Sequence, residues 1–175
     1  MLYFLCFSFL SFICIIVEQL KQKDCFFAIA LFIGRGDVMI ELTKNSDRNQ
    51  IYELMAECMW PDAERINRAI DTYMDEQSKT LYGFFHNNEL VGLIGVSGAS
   101  DHAAILNHIA VKKEHRRNGL GTYMIKAFLQ GSNVTTIEAE TDKDAVAFYK
   151  KIGFEITSLG EKYPGVERFR CIFEG

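Results

Sequence analysis

The sequence predicts an α/β fold on a mixed β-sheet, with elements in the order β-α-α-β-β-β-α-β-α-β-β. Three observations support it. Short apolar runs bounded by turn residues read as strands, and windows with apolar residues at i, i+3, i+4 and i+7 read as amphipathic helices. A strand, a helix and a strand around two glycines form a crossover unit, so part of the sheet is parallel. An antiparallel hairpin before that unit makes the sheet mixed.

The elements follow in order from Met39. "MIEL" is a short strand. "SDRNQIYELMAECM" puts Ile51, Leu54, Met55 and Cys58 on one helical face, with Ser46 or Asp47 at its cap, and Trp60-Pro61 breaks it. "DAERINRAIDTYMDEQ" puts Ile66, Ala69, Ile70 and Tyr73 on one face of a second helix. "TLYGFFH" and "ELVGLIGVSG" form a hairpin about Asn87-Asn88, and "HAAILNHIAV" is a third strand. A helix opens near Gly119 and turns Leu120, Met124, Ala127 and Phe128 inward. "VTTIEAE" is a strand and "DKDAVAFYKKIG" a helix; "FEITSLG" and "RFRCIFE" are the last strands, around Pro164-Gly165.

Composition narrows the function. Hydrophobic residues make up 49% of the chain and charged residues 24%, which suits one globular domain. The net charge of −4 gives no footprint for nucleic acid. Five scattered cysteines without a C-x-x-C argue against a disulfide framework or a structural zinc, and for a reducing, cytoplasmic setting.

Residues 1–38 differ from 39–175. The chain opens on 17 uncharged residues, "MLYFLCFSFLSFICIIV", at the short limit for spanning a bilayer. No basic segment precedes this run and no A-x-A site follows it, which speaks against a secretory signal. Residues 1–38 then read as a hydrophobic N-terminal extension, either a membrane anchor or sequence upstream of a natural start at Met39. The second is preferred, because the well-punctuated pattern begins there, and residues 39–175 are taken as the domain.

The charge is unevenly placed. Four of the six residues from Lys112 to Arg117 are Lys or Arg, and Gly119 and Gly121 follow. A strand ends at Val111 and a helix starts at the glycines. A helix N-terminus offers unpaired amides and the positive dipole end, glycine lets a ligand approach the backbone, and arginine adds charge-assisted hydrogen bonds. The combination suits a pyrophosphate. The alternative is a solvated charge run on an exposed turn. The pattern is neither a Rossmann fingerprint nor a P-loop.

"TDKDAVAFYKKIGFE" adds a second signal, with Ala145, Phe148, Tyr149 and Ile152 on one face of a helix that ends in Gly-Phe. With both motifs in order, the chain resembles the GCN5-related N-acetyltransferase (GNAT) family. Arg116-Arg117-Asn118-Gly119-Leu120-Gly121 matches its R/Q-x-x-G-x-G/A acetyl-CoA motif, and "AVAFYKKIGF" its following helix. The resemblance spans residues 39–175 and implies a GNAT-like acyl-CoA N-acyltransferase fold with acetyl-CoA as co-substrate. It implies that Ile109, Ala110 and Val111 line the pantetheine arm and that Arg116 to Gly121, with Thr122, surround the pyrophosphate. It also implies that Tyr149 is the general acid for the departing thiolate. Phe148 is a cofactor-side or core aromatic. Asp142 stands where the family often carries Asn, so it caps the helix while the cofactor contact is in question.

The family's frequent carboxylate before the phosphate loop is missing; Asn107 and His108 stand there, and a lone strand histidine reads as structural. Glu138 and Glu140, two apart on one face of a strand, are the base candidates. They either look into the acceptor cleft or form a solvated strand end. The function expected is acetyl-CoA-dependent acetyl transfer to a primary amine by direct transfer. The alternative is an acetyl-CoA sensor without turnover. An acidic cleft would favour a polyamine, a lysine or a protein N-terminus, framed by Trp60 and "EKYPGVERF". The partner is a small-molecule or peptide amine, with a homodimer left open, no nucleic acid, no metal, and a membrane only if residues 1–33 are an anchor.

Overall fold

The computed structural model describes residues 37–100 and 102–175. The expectations for residues 1–36 lie outside the described residues. Among these, no helix is long and apolar enough to cross a membrane.

Strand β1 (Asp37–Glu41) begins two residues ahead of Met39 and pairs antiparallel with β2 (Lys79–His86). Between them run helices α1 (Arg48–Ala56) and α2 (Ala63–Asp75). The carboxylate of Asp47 caps α1, accepting from the amides of Asn49 and Gln50, and Asp62 caps α2 through the amide of Arg65. Helix α1 stops at Ala56 rather than at Met59: tight turns from Glu57 to Leu54 and from Cys58 to Met55 close it ahead of Trp60-Pro61. β2 turns into β3 (Glu89–Ser100) through Asn87 and Asn88, both at positive φ (49° and 65°), the geometry of a two-residue hairpin turn.

β4 (Ala103–Val111) pairs with β3; helix α3 (Leu120–Gly131) crosses over, and β5 (Thr136–Asp142) returns parallel to β4. Helix α4 (Val146–Lys151) leads to β6 (Glu155–Tyr163) and β7 (Val166–Glu174). The last strand inserts next to β5, giving the order β1-β2-β3-β4-β5-β7-β6. The mixed sheet and the element order match the expectation. α4 is shorter than expected because Asp142 Oδ1 accepts from the amides of Asp144 and Ala145, an Asx-type turn that delays the helix.

Each sheet face is covered by one pair of helices. Ile51, Leu54 and Met55 of α1 and Ile66, Ile70 and Tyr73 of α2 pack with Leu42, Leu81, Leu90 and Leu93. On the opposite face Met124, Ile125 and Phe128 of α3 and Tyr149 of α4 join Phe84, Ile94, Leu106 and Ile137. Burying each large apolar side chain contributes about 2 kcal/mol. Together they hold β4 and β5 at the centre, where the site lies.

Candidate active site

β4 and β5 separate along their length. Their parallel pairing runs only from Ala103↔Thr136 to Leu106↔Ala139. Beyond it β4 stays with β3 as far as Val111, and β5 stays with β7 as far as Asp142. A β-bulge at the point of separation supplies the bend: Gly95 pairs with His108 and Val96 with Leu106, leaving Asn107 as the extra residue. The backbone of Ile109 and Val111 therefore borders a wedge-shaped opening.

At the wide end of the wedge stands the start of α3. Gly119 caps the helix at φ 82° with no side-chain cap, and Arg117 also has positive φ, 63°. The first intrahelical bond is donated by Tyr123 to the Gly119 carbonyl, so no backbone or side-chain partner takes the amides of Leu120, Gly121 and Thr122 among the described residues. A Cβ on Gly119 would meet nothing within 4 Å, so the space above it is open. At Gly121 a Cβ would lie 3.1 Å from the Phe148 ring, so this glycine sets the close approach of α3 to α4. Phe148 thus packs against the first turn of α3 and against the core at once. Beside the loop lies a cavity of about 290 Å³, walled by Asn118, Gly119 and Leu120 and by Phe84, His86 and Tyr123.

The cationic cluster is more neutral than its sequence suggests. Lys112 pairs with Glu89 at 2.7 Å, and Lys113 and Arg116 both pair with Glu57, at 3.3 and 2.8 Å. Arg116 Nε also donates to the Val111 carbonyl at 2.8 Å, which ties the loop to the end of β4. Arg117 is exposed and forms no ion pair among the described residues. Glu57 and Glu89 carried no signal in the sequence; their role follows only from where α1 ends and β3 begins.

Tyr149 is 6% exposed, set edge to face between Phe148 and Phe154 at 5.1 and 5.2 Å. Burial, with the thiols of Cys171 and Cys58 nearby, pushes its phenol up, so it stays protonated at neutral pH. Its hydroxyl has no hydrogen-bond partner among the described residues, yet no fully buried polar atom there lacks one. The hydroxyl oxygen is therefore not wholly shut off from solvent.

Glu138 and Glu140 lie on the α1–α2 face, opposite buried Ile137 and Ala139. Each is held diagonally by an arginine of β7: Arg170 grips Glu138 with two bonds of 2.8 and 2.6 Å, and Arg168 donates to Glu140 at 2.9 Å. Lys162 approaches Glu140 at 3.7 Å. These hydrogen bonds hold both carboxyls below the usual carboxylate range. Charge balance across two strands thus explains the acidic face of β5. Asp142 spends one carboxylate oxygen on the turn before α4. Trp60, 75% exposed, stands at the α1–α2 junction.

The comparisons agree with this geometry. An acetyltransferase (GNAT) domain model matches residues 49–167. An uncharacterised N-acetyltransferase in the lysA 3′ region of Bacillus methanolicus is 29% identical over 66 residues, 38% of this chain and 55% of that protein. The chain spans about half the length of the curated relatives it matches. A GNAT family acetyltransferase from Elizabethkingia anophelis, solved with acetyl-CoA bound, superposes with a TM-score of 0.60 at 18% identity, over 80% of this chain and 99% of that one. The ribosomal-protein-S18-alanine N-acetyltransferase of Escherichia coli gives 0.61 at 18% identity, over 79% and 93%. With its split central strands, uncapped α3 and matching domain model, the chain belongs to the GNAT acetyltransferase family.

Proposed function

We propose that this protein transfers the acetyl group of acetyl-CoA directly to a primary amine. The observation that carries it is the opening between β4 and β5 with an uncapped helix start at its mouth. In this reading the amides from Arg117 to Gly121 receive the pyrophosphate, and Ile109 and Val111 hydrogen-bond the pantetheine arm. Ala110 turns its side chain into the α1–α2 core, so only its backbone takes part. Thr122 completes the helix start, and Asn118 and Leu120 border the ligand.

The amine nitrogen attacks the thioester carbonyl, the C–N bond forms, and the C–S bond breaks as the thiolate leaves. Tyr149 donates its phenolic proton to that sulfur, and the proton shed by the attacking nitrogen passes to water and restores the phenol. A protonated phenol whose hydroxyl has no partner among the described residues is suited to this. Glu138 and Glu140 serve as charge-balanced partners of Arg170 and Arg168; a carboxylate held low by an arginine is a weak proton acceptor. Their neutralisation also removes the ground for favouring a cationic acceptor.

Release of free CoA thiol across a panel of small amines, amino acids and peptide N-termini tests the activity. Tyr149→Phe should lower turnover roughly 10²- to 10⁴-fold while keeping acetyl-CoA affinity. Undiminished turnover in that variant would remove Tyr149 from the reaction.

A further inference from the structure

Tyr73 of α2 and His108 of β4 meet at the bulge. The Tyr73 hydroxyl lies 2.7 Å from His108 Nδ1, and the rings sit edge to face at 5.7 Å. Gly95, the β3 partner of His108, makes room: a Cβ there would collide with the Tyr73 ring and hydroxyl. Three elements thus meet to place one hydrogen bond beside the point where β4 and β5 part.

The direction of that bond follows from its surroundings. Burial pushes the Tyr73 phenol up, with the Cys58 thiol adding to it, so the hydroxyl keeps its proton. Burial, with Arg65 of α2 and Lys79 of β2 in support, pushes His108 down to about 4, so the imidazole is neutral at neutral pH. Asn107 Nδ2 donates elsewhere, to Ser97 Oγ at 2.7 Å and to the Ile105 carbonyl at 3.3 Å, which leaves His108 as the one hydrogen-bond partner of the Tyr73 hydroxyl among the described residues. With no other acceptor for its proton among the described residues, the Tyr73 hydroxyl is assigned as donor to a bare Nδ1, which puts the single imidazole proton on Nε2.

This site lies at the inner end of the opening. On the proposed transfer reading, on which the inference rests, the pantetheine runs from the phosphate loop past Val111 and Ile109. The thioester then arrives at Asn107 and His108. We propose that His108 is a catalytic residue, donating through Nε2–H to the oxygen that gains charge when the amine attacks the thioester carbonyl, and that Tyr73 is its positioning residue. The donor keeps its proton throughout: the carbonyl electron pair moves to oxygen as the C–N bond forms and returns as the C–S bond breaks. A neutral imidazole made electrophilic in this way is a known device for polarising carbonyls.

Two measurements on the full chain test it. Nitrogen-15 NMR of the imidazole should show Nε2 protonated and Nδ1 bare across the neutral range. In Tyr73→Phe the tautomers should mix and His108 should titrate at higher pH, and turnover at neutral pH should fall by the share of molecules whose proton moves to Nδ1. With the most active amine of the panel, His108→Leu should lose about 10²-fold or more in turnover. His108→Gln, whose amide N–H reaches the Nε2 position, should recover part of it, and acetyl-CoA should stabilise every variant against heat equally. A proton on Nδ1, or wild-type turnover in His108→Leu, overturns the role of His108 alone. A wild-type protein that acetylates no amine overturns the transfer reading and this role with it, while leaving the imidazole spectrum as stated.

Discussion

Arg116 separates two uses of a cation in the loop between β4 and α3. Its Nε donates to the Val111 carbonyl and a terminal nitrogen to Glu57, both at 2.8 Å. A loop staple and a phosphate ligand respond differently when the partner is removed. Hydrogen bonds to charged groups are worth about 1.5–3 kcal/mol when buried. Here the side chains are 42% and 27% exposed, so solvent screening leaves about 1–2 kcal/mol for the pair of bonds. Arg116→Ala should lower stability by that amount. If about 1 kcal/mol of it is the ordering of the loop, acetyl-CoA should bind roughly five-fold more weakly. Glu57→Gln should do nearly the same, since it releases both Arg116 and Lys113, and the double variant should fall short of the sum. Titration calorimetry with acetyl-CoA on the four proteins gives the cycle. If Glu57→Gln binds as the wild type does while Arg116→Ala weakens binding, the guanidinium acts on the phosphate and the staple is refuted.

Three further outcomes follow. Gly119→Val places a β-branched residue at φ 82°, costing about 1–2 kcal/mol, and fills the open space above the helix start, so stabilisation by acetyl-CoA in a thermal melt should vanish; an undiminished shift would remove the amides from the phosphate site. Gly95→Ala should destabilise by roughly 1–3 kcal/mol through its collision with Tyr73, and pairing it with Tyr73→Leu should relieve part of that; a Gly95→Ala melt equal to the wild type would show that Tyr73 is not held against β3. Because Arg170 depresses the Glu138 pKa in the folded state, their pair stabilises above the ordinary carboxylate range and its contribution fades as pH falls through the folded value; Arg170→Gln should therefore be less stable at neutral pH and converge with the wild type in acid, and a pH-independent difference would contradict the pairing.

Much of the fold was legible because its signals are local. Helical periodicity, the Asn-Asn turn and the strand–helix–strand unit each sit within one stretch of chain. The glutamates show where this stops. Glu138 and Glu140 alternate with Ile137 and Ala139 in β5, and Arg168 and Arg170 alternate with Phe169 in β7, so the complementary charges were present at the right period. Nothing local says that β7, rather than β6, inserts beside β5, and without that the ladder cannot be drawn. Tyr73 and His108 were missed for the same reason. One read as a core position of α2 and the other as a lone strand histidine. Their contact depends on the extra residue in β4 and on a glycine in β3.

The concentration of charge before the glycines now has a physical account different from a cluster of phosphate-binding side chains. Three of the four cations from Lys112 to Arg117 are matched by Glu89 and Glu57, which lie on other elements and pull the loop onto the fold. Their positive charge is largely spent in placing the loop. What faces the opening is backbone: two positive-φ residues and a run of amides at the start of α3 with no protein partner among the described residues. An anion held there is held by dipoles whose position is set by the ion pairs. Mutating the side chains should then change affinity mainly by loosening the loop, whereas changing Gly119 changes the binding surface itself.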